Sequence, residues 1–150
     1  MYKLSDNNPE NFSLHDCKAT KLIIGERTLT FEFEDGFYLC GTEQTQYTGR
    51  SELEFDLAYK DVSWNITVYL FSKTDDDDRM IRREISPDRF AELLNSGAEL
   101  EFLDEYKGYG RYLYDCIMWY RAGEIPRTEE CQIIIAAKDI TYRWNEVKNI

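Results

Sequence analysis

Glu52-Leu53-Glu54-Phe55-Asp56-Leu57-Ala58-Tyr59 is followed by Lys60-Asp61 and then by Val62-Ser63-Trp64-Asn65-Ile66-Thr67-Val68-Tyr69-Leu70. Apolar and polar residues alternate on both sides of the central pair, which is the period of a half-buried β-strand. Folding the stretch about Lys60-Asp61 opposes Tyr59 with Val62, Leu57 with Trp64, Phe55 with Ile66 and Leu53 with Val68. All of these side chains then fall on one face, and a one-residue slip would put one strand's apolar set in water. The reading is an antiparallel hairpin over 50–71.

The same alternation continues outward in both directions. A second hairpin is expected over 28–41: a loop of Glu34-Asp35-Gly36 pairs Phe33 with Phe37 and Phe31 with Leu39, with Gly36 in the left-handed bulge position. Residues 17–24 read as a strand ending at Gly25, and further strands are expected over 80–85, 98–105 and 110–121. A turn falls at Gly123 to Pro126, and a last hairpin is expected from 129–137 and 139–145 around Lys138-Asp139. One short helix interrupts the strands near 87–95. Ser86 suits its N-cap, Pro87 its first position and Asn95-Ser96-Gly97 its stop, while Phe90, Ala91, Leu93 and Leu94 form the docking stripe.

In the 110–121 strand, Tyr112, Tyr114, Cys116, Met118 and Tyr120 take one parity, and Leu113, Ile117 and Trp119 take the other. Such a strand has both faces covered, or one face covered and one serving as a binding surface. About ten strands with closely spaced turns and no alternating βαβ pattern predict a mainly β fold. The expectation is an antiparallel two-layer β-sandwich forming a single domain over 1–150.

The chain has 29 acidic and 18 basic side chains, a formal charge of −11, which disfavours nucleic-acid phosphates and anionic membranes and favours basic proteins. Met1 to Asn8 contains no apolar leader and no run approaches a membrane span, so a cytoplasmic protein is expected. Cys17, Cys40, Cys116 and Cys131 lack the paired short spacing of a zinc site. His15 is the only histidine, which removes two-histidine metal sites and the HExxH helix. The eight glycines assemble neither a dinucleotide fingerprint nor a P-loop, and no serine lies in a nucleophile elbow. No catalytic residue, metal or cofactor is expected, and the chain reads as a non-enzyme.

Two features remain as candidate binding elements. Asp75-Asp76-Asp77-Asp78 is a contiguous acidic run, whose splayed side chains suit a solvated loop or a contact for a basic partner better than a calcium loop. Tyr106, Tyr109, Tyr112 and Tyr114, followed by Trp119 and Tyr120, form an aromatic segment of the kind that anchors a protein partner or stacks a sugar.

Phe12-Ser13-Leu14-His15-Asp16-Cys17, together with Leu29-Thr30-Phe31-Glu32-Phe33-Glu34-Asp35-Gly36-Phe37, resembles the opening of small bacterial β-rich domains. Some of those look like immunity proteins of toxin systems. The resemblance covers about residues 12–40 and implies a small cytosolic domain with no catalytic residues to carry over. The resulting expectation is an acidic protein-interaction domain, with a small-ligand or carbohydrate-binding sandwich as the alternative.

Overall fold

Along the long strands every second side chain is buried, as in Ser51–Leu57, where Ser51, Leu53, Phe55 and Leu57 are inside and Asp56 is in solvent. The computed structural model describes residues 1–41, 43–73, 79–121 and 127–149. The run Asp75 to Asp78 and the turn expected at Gly123 to Pro126 lie outside the described residues. The strands of the first half are β1 (Leu4–Asp6), β2 (Phe12–Ser13), β3 (Cys17–Ala19), β4 (Lys21–Ile24), β5 (Thr28–Phe33), β6 (Tyr38–Leu39), β7 (Gln46–Tyr47), β8 (Ser51–Leu57) and β9 (Ile66–Lys73). Those of the second half are β10 (Met80–Ile85), β11 (Glu99–Gly108), β12 (Arg111–Tyr120), β13 (Arg127–Trp144) and β14 (Lys148–Asn149). The helices are α1 (Val62–Asn65) and α2 (Pro87–Asn95).

The fold is mainly β and antiparallel, a two-layer sandwich as the alternation predicts. One layer runs β3-β11-β12-β13-β9-β10 and the other β4-β5-β8-β13-β1. The long strand β13 belongs to both. Its first half pairs with β12 and β9, and its second half with β8 and β1. The switch occurs where the register shifts between Ala137 and Asp139. Lys138 is the extra residue, and buried positions pass from Cys131, Ile133 and Ile135 to Ile140 and Tyr142. A bulge of this kind bends the strand and reverses its inward parity. The second corner is Thr20: β3 on one side of it pairs with β11 and β4 on the other pairs with β5. The two layers are thus joined at both corners around one core. A smaller sheet, β14-β7-β6-β2, lies beside them.

Aromatic rings fill the core. Phe102 lies 5.5 Å from Phe31, 5.6 Å from Phe33 and 5.1 Å from Tyr114, centroid to centroid. Helix α2 is where the sequence puts it. Ser86 Oγ accepts from the Arg89 amide at 3.1 Å, and Phe90 and Leu94 are buried. The Asn95 side chain accepts from Leu22 N at 3.0 Å and donates to Leu22 O at 2.9 Å. That pair of bonds covers the edge of β4 as a neighbouring strand would.

Three expected hairpins are not formed. Residues 50–71 do not fold back on themselves: β8 pairs with β5 and β13, and β9 with β10 and β13. Between them Asp61 caps the one-turn helix α1, accepting from Ser63 N at 2.9 Å. Leu57 is buried and Trp64 is 72% exposed, so the expected Leu57–Trp64 pair does not exist. Residues 129–145 form one continuous strand, because Lys138-Asp139 makes a bulge and not a turn. Over 28–41, β5 pairs with β4 and β8, whereas β6 joins β2 and β7. Gly36 does take a left-handed φ of 82°, and the reason is a close approach. A Cβ there would run into the Gly49 carbonyl and the Thr48 hydroxyl.

A second bulge, between Phe102 and Asp104, turns Glu105 inward opposite Tyr114. Burial pushes the Glu105 carboxyl above its usual range, and Lys107, 3.8 Å away, offsets only part of this. Folding thus favours the protonated form. The associated stability is complete below the carboxyl's unfolded pKa and is lost as pH rises through the higher folded value. Glu105→Gln is therefore expected to raise the melting temperature by a few degrees at about pH 7 and to leave it unchanged at about pH 3.5. Thermal melts of both chains at the two pH values check this; an equal shift at both would contradict it.

Candidate interaction face

The outward parity of β12 is uncovered, and the strand registers show what lies beside it. Trp119 stands opposite Glu99 and Thr128. The next row holds Lys18, Glu101, Ile117, Glu130, Phe71 and Arg82. Below it come Asp104, Asp115, Gln132, Tyr69 and Glu84, and then Tyr106, Leu113, Ile134 and Thr67. Leu113, Ile117, Trp119, Ile134, Tyr69 and Phe71 are each only half-buried. A shallow depression of about 360 Å³ on this face is lined by Phe71, Leu103, Asp115, Ile117, Glu130 and Gln132. The inward parity of the same strand, with Tyr114, Cys116 and Met118, is core. Of the two faces of this strand, one is therefore covered and the other is only half-buried.

The polar groups of the face are organised around its rings. Trp119 Nε1–H donates to Glu101 at 2.9 Å, and the Lys18 ammonium lies 4.8 Å from the ring centroid. Arg82 lies 4.6 Å from the Tyr69 centroid. Glu99 is paired with Arg121 at 2.8 Å and with Lys18 at 3.8 Å. Asp104 and Asp115 are direct cross-strand neighbours, and Gln132 Nε2 donates to Asp115 Oδ1 at 3.2 Å. Like charges placed directly opposite destabilise a sheet. Neither aspartate forms an ion pair among the described residues, and the same holds for Glu130.

The four tyrosines separate. Tyr106 is 55% exposed and lies on this face, opposite Leu113. Tyr109 is fully exposed in the β11–β12 turn. Tyr112 points inward and is half-buried, with its ring 5.7 Å from Phe55. Tyr114 is core, so it is no contact residue. Strand parity explains the division, because even positions of β12 face the interior. The sequence alone does not mark Asp104, Asp115, Ile117, Ile134, Tyr69 and Phe71 as site residues. Only the register between four strands brings them together; the double-sided pattern of β12 was the available signal.

Tyr59, Trp64 and Tyr109 lie at the end of the sandwich near the β13 bulge, where Ala58 N donates to Ala136 O and Ala137 N to Gly110 O, both at 3.2 Å. Their neighbours in sequence include the exposed cations Lys60 and Arg111, and the exposed Lys138 stands at the bulge itself. The Tyr59 and Trp64 rings meet at 69°, edge to face.

His15 and Cys40 line a separate open groove with Ser13, Asp16, Tyr38, Leu39 and Thr45. His15 Nδ1 meets Leu103 O at 2.7 Å and its Nε2 lies 3.4 Å from Asp16 Oδ2. The carbonyl, then the carboxylate, raise the His15 pKa. Asp16 takes a left-handed φ of 63° to reach this position. Both ring nitrogens are thereby engaged, an arrangement that favours the protonated ring over a general base. Cys40 is exposed, whereas burial pushes the thiols of Cys17 and Cys131 up to about 12 and that of Cys116 strongly upward. An aromatic disulfide reagent at neutral pH is therefore expected to titrate one thiol of the four in the native chain and all four after denaturation. Two or more fast native thiols would contradict the burial of the other three.

Among the described residues no group of three or more histidine, cysteine, aspartate or glutamate side chains could hold a metal ion, and no helix is long and apolar enough to cross a membrane. No protein-family model matches this chain, and no curated protein or solved structure matches it either.

Proposed function

We propose that this is a non-enzymatic, acidic protein-interaction domain that docks a basic protein on the open face of its six-stranded layer. The observation that carries the reading is the juxtaposition of Asp104 and Asp115 within a half-buried apolar field of Leu113, Ile117, Ile134, Tyr69 and Phe71. A folded chain keeps two directly opposed carboxylates at some cost to itself. A lysine or arginine entering between them removes that repulsion while the apolar side chains around it are desolvated. The face carries Glu84, Glu99, Glu101, Asp104, Asp115 and Glu130 against Lys18, Arg82 and Arg121, and the whole chain carries −11, so long-range attraction accelerates encounter with a cationic partner. Occlusion of a basic surface, the mode of an immunity protein, suits an open sheet face of this kind.

The carbohydrate-binding alternative draws less support. The faces of Trp119 and Tyr69 are occupied by Lys18 and Arg82, and Tyr59 and Trp64 are not coplanar.

Affinity capture with the immobilised chain tests the proposal. At low ionic strength the wild type is expected to retain a basic protein that is released at about 0.5 M salt. Ile117→Lys, a change at the centre of the face that leaves the core untouched, is expected to lose it. Retention of no basic protein, or equal retention by the variant, overturns the reading.

A further inference from the structure

Strand β10 ends its layer. It pairs with β9 over its whole length from Met80 to Ile85, and among the described residues no strand pairs with its other edge. Five of its six residues are exposed, among them Met80 at 43% and Ile81 at 53%. The strand contains no proline and keeps an unbroken register with β9, so it lacks two of the usual devices that blunt an edge. Its charges then decide which second strand fits.

Register with β9 fixes the two faces of β10. Arg82 and Glu84 stand opposite Phe71 and Tyr69 on the open face, and Ile81, Arg83 and Ile85 stand opposite Ser72, Leu70 and Val68 on the core side. Two copies of β10 related by a two-fold axis normal to the sheet keep these faces aligned only when a residue meets its own counterpart on the axis. Centring on Arg82 opposes two exposed arginines and sets Ile81 against Arg83. Centring on Glu84 opposes two glutamates. Centring on Arg83 instead sets Arg82 against Glu84 twice and Ile81 against Ile85 twice, ion pairs on one face and apolar pairs on the other. The two axial arginines are already neutralised: Arg83 binds Glu129 through both terminal nitrogens, at 2.9 and 3.2 Å, and contacts Ser72 Oγ at 3.0 Å.

We infer that the chain forms a two-fold dimer by antiparallel pairing of β10 with β10 of a second copy, in the register centred on Arg83. The two six-stranded layers become one continuous sheet, and their open faces become one surface. The dimer does not depend on the identity of any docked partner.

Sedimentation velocity on the full chain at about 0.15 M salt tests it across a concentration series. The wild type is expected to move from the 17.8 kDa chain mass toward twice that value as concentration rises. Arg82→Glu and Glu84→Arg each place like charges in both ion pairs and are expected to weaken the dimer at least about tenfold. The double exchange Arg82→Glu with Glu84→Arg restores opposite charges and is expected to recover the dimer to within about threefold of the wild type. Circular dichroism confirms that each variant is folded before its mass is read. A wild type that stays at the chain mass up to about 1 mM overturns the proposal irrespective of any variant. So does a dimer that either single reversal leaves intact, or that the double exchange fails to restore.

Discussion

Asp104→Lys is expected to make the protein more stable and less able to bind. The new ammonium stands directly across from Asp115, so a repulsive cross-strand pair becomes an attractive one. Such an exchange is worth about 0.5–1 kcal/mol, a rise of about 1–4 °C in melting temperature for a chain of this size. The same charge reversal places a cation where the partner's lysine or arginine is to enter, and affinity is expected to fall at least about tenfold. The opposite signs are the informative part. A face with no binding role would show the gain in stability without the loss of affinity, and an aspartate pair needed for folding would show a fall in both. Thermal melts and a binding isotherm on the same two preparations separate these cases.

Asn65→Leu is expected to produce the largest loss of stability among the polar positions. Its side chain, 2% exposed, accepts from Tyr59 N at 2.7 Å and donates to Tyr59 O at 2.6 Å and to Asp61 O at 3.0 Å. Those bonds hold the crossing between layers, where β8 ends and β9 begins. Leucine has a similar volume but leaves three backbone groups without a partner in a part-buried corner. The expected cost is about 3 kcal/mol, or about 6–12 °C in melting temperature. Urea denaturation measures it directly, and a loss below about 1 kcal/mol would mean that the corner relaxes to admit water.

Strand content was legible in this sequence and strand pairing was not, for one identifiable reason. In residues 53–68 the apolar parity is odd through Tyr59 and even from Val62; in 131–142 it is odd through Ala137 and even from Ile140. A change of parity marks one extra residue, and a two-residue turn and a corner both supply it. Both segments read as hairpins about Lys-Asp. In the structure they are corners, and they lie side by side: Leu57 pairs with Ala137, and Ala58 N donates to Ala136 O. The similar runs Ala58-Tyr59-Lys60-Asp61-Val62 and Ala136-Ala137-Lys138-Asp139-Ile140 thus fall at one place in the fold, where the chain crosses from layer to layer. What separates the two is local. Asp61 with Ser63 and Asn65 closes a helical turn, whereas Asp139 accepts from its neighbour's amide, Ile140 N, at 2.9 Å.

Helix α2 shows the contrasting case. Its cap, first proline and stop are short-range chemistry, so Ser86, Pro87 and Asn95-Ser96-Gly97 suffice to place it. The candidate site lies between these extremes. The double-sided pattern of β12 announces an open face, and Tyr106 belongs to it. The pairing of Asp104 with Asp115 depends on the bulge at Leu103, which moves Asp104 into register with Asp115 and Glu105 with Tyr114. The residues after Leu103, Asp104-Glu105-Tyr106-Lys107, carry no apolar alternation that would show the change of parity.

Hydroxyl-radical footprinting of the chain with its captured partner bears most directly on the claim that the open face of the six-stranded layer is the working surface. Rings on that face, Trp119, Tyr69, Phe71 and Tyr106, are expected to lose labelling in the complex, while Tyr59, Trp64 and Tyr109 at the bulge end keep theirs. Protection of Tyr59, Trp64 and Tyr109 with Trp119 and Tyr69 unchanged would contradict the account and transfer the interaction to the end of the sandwich.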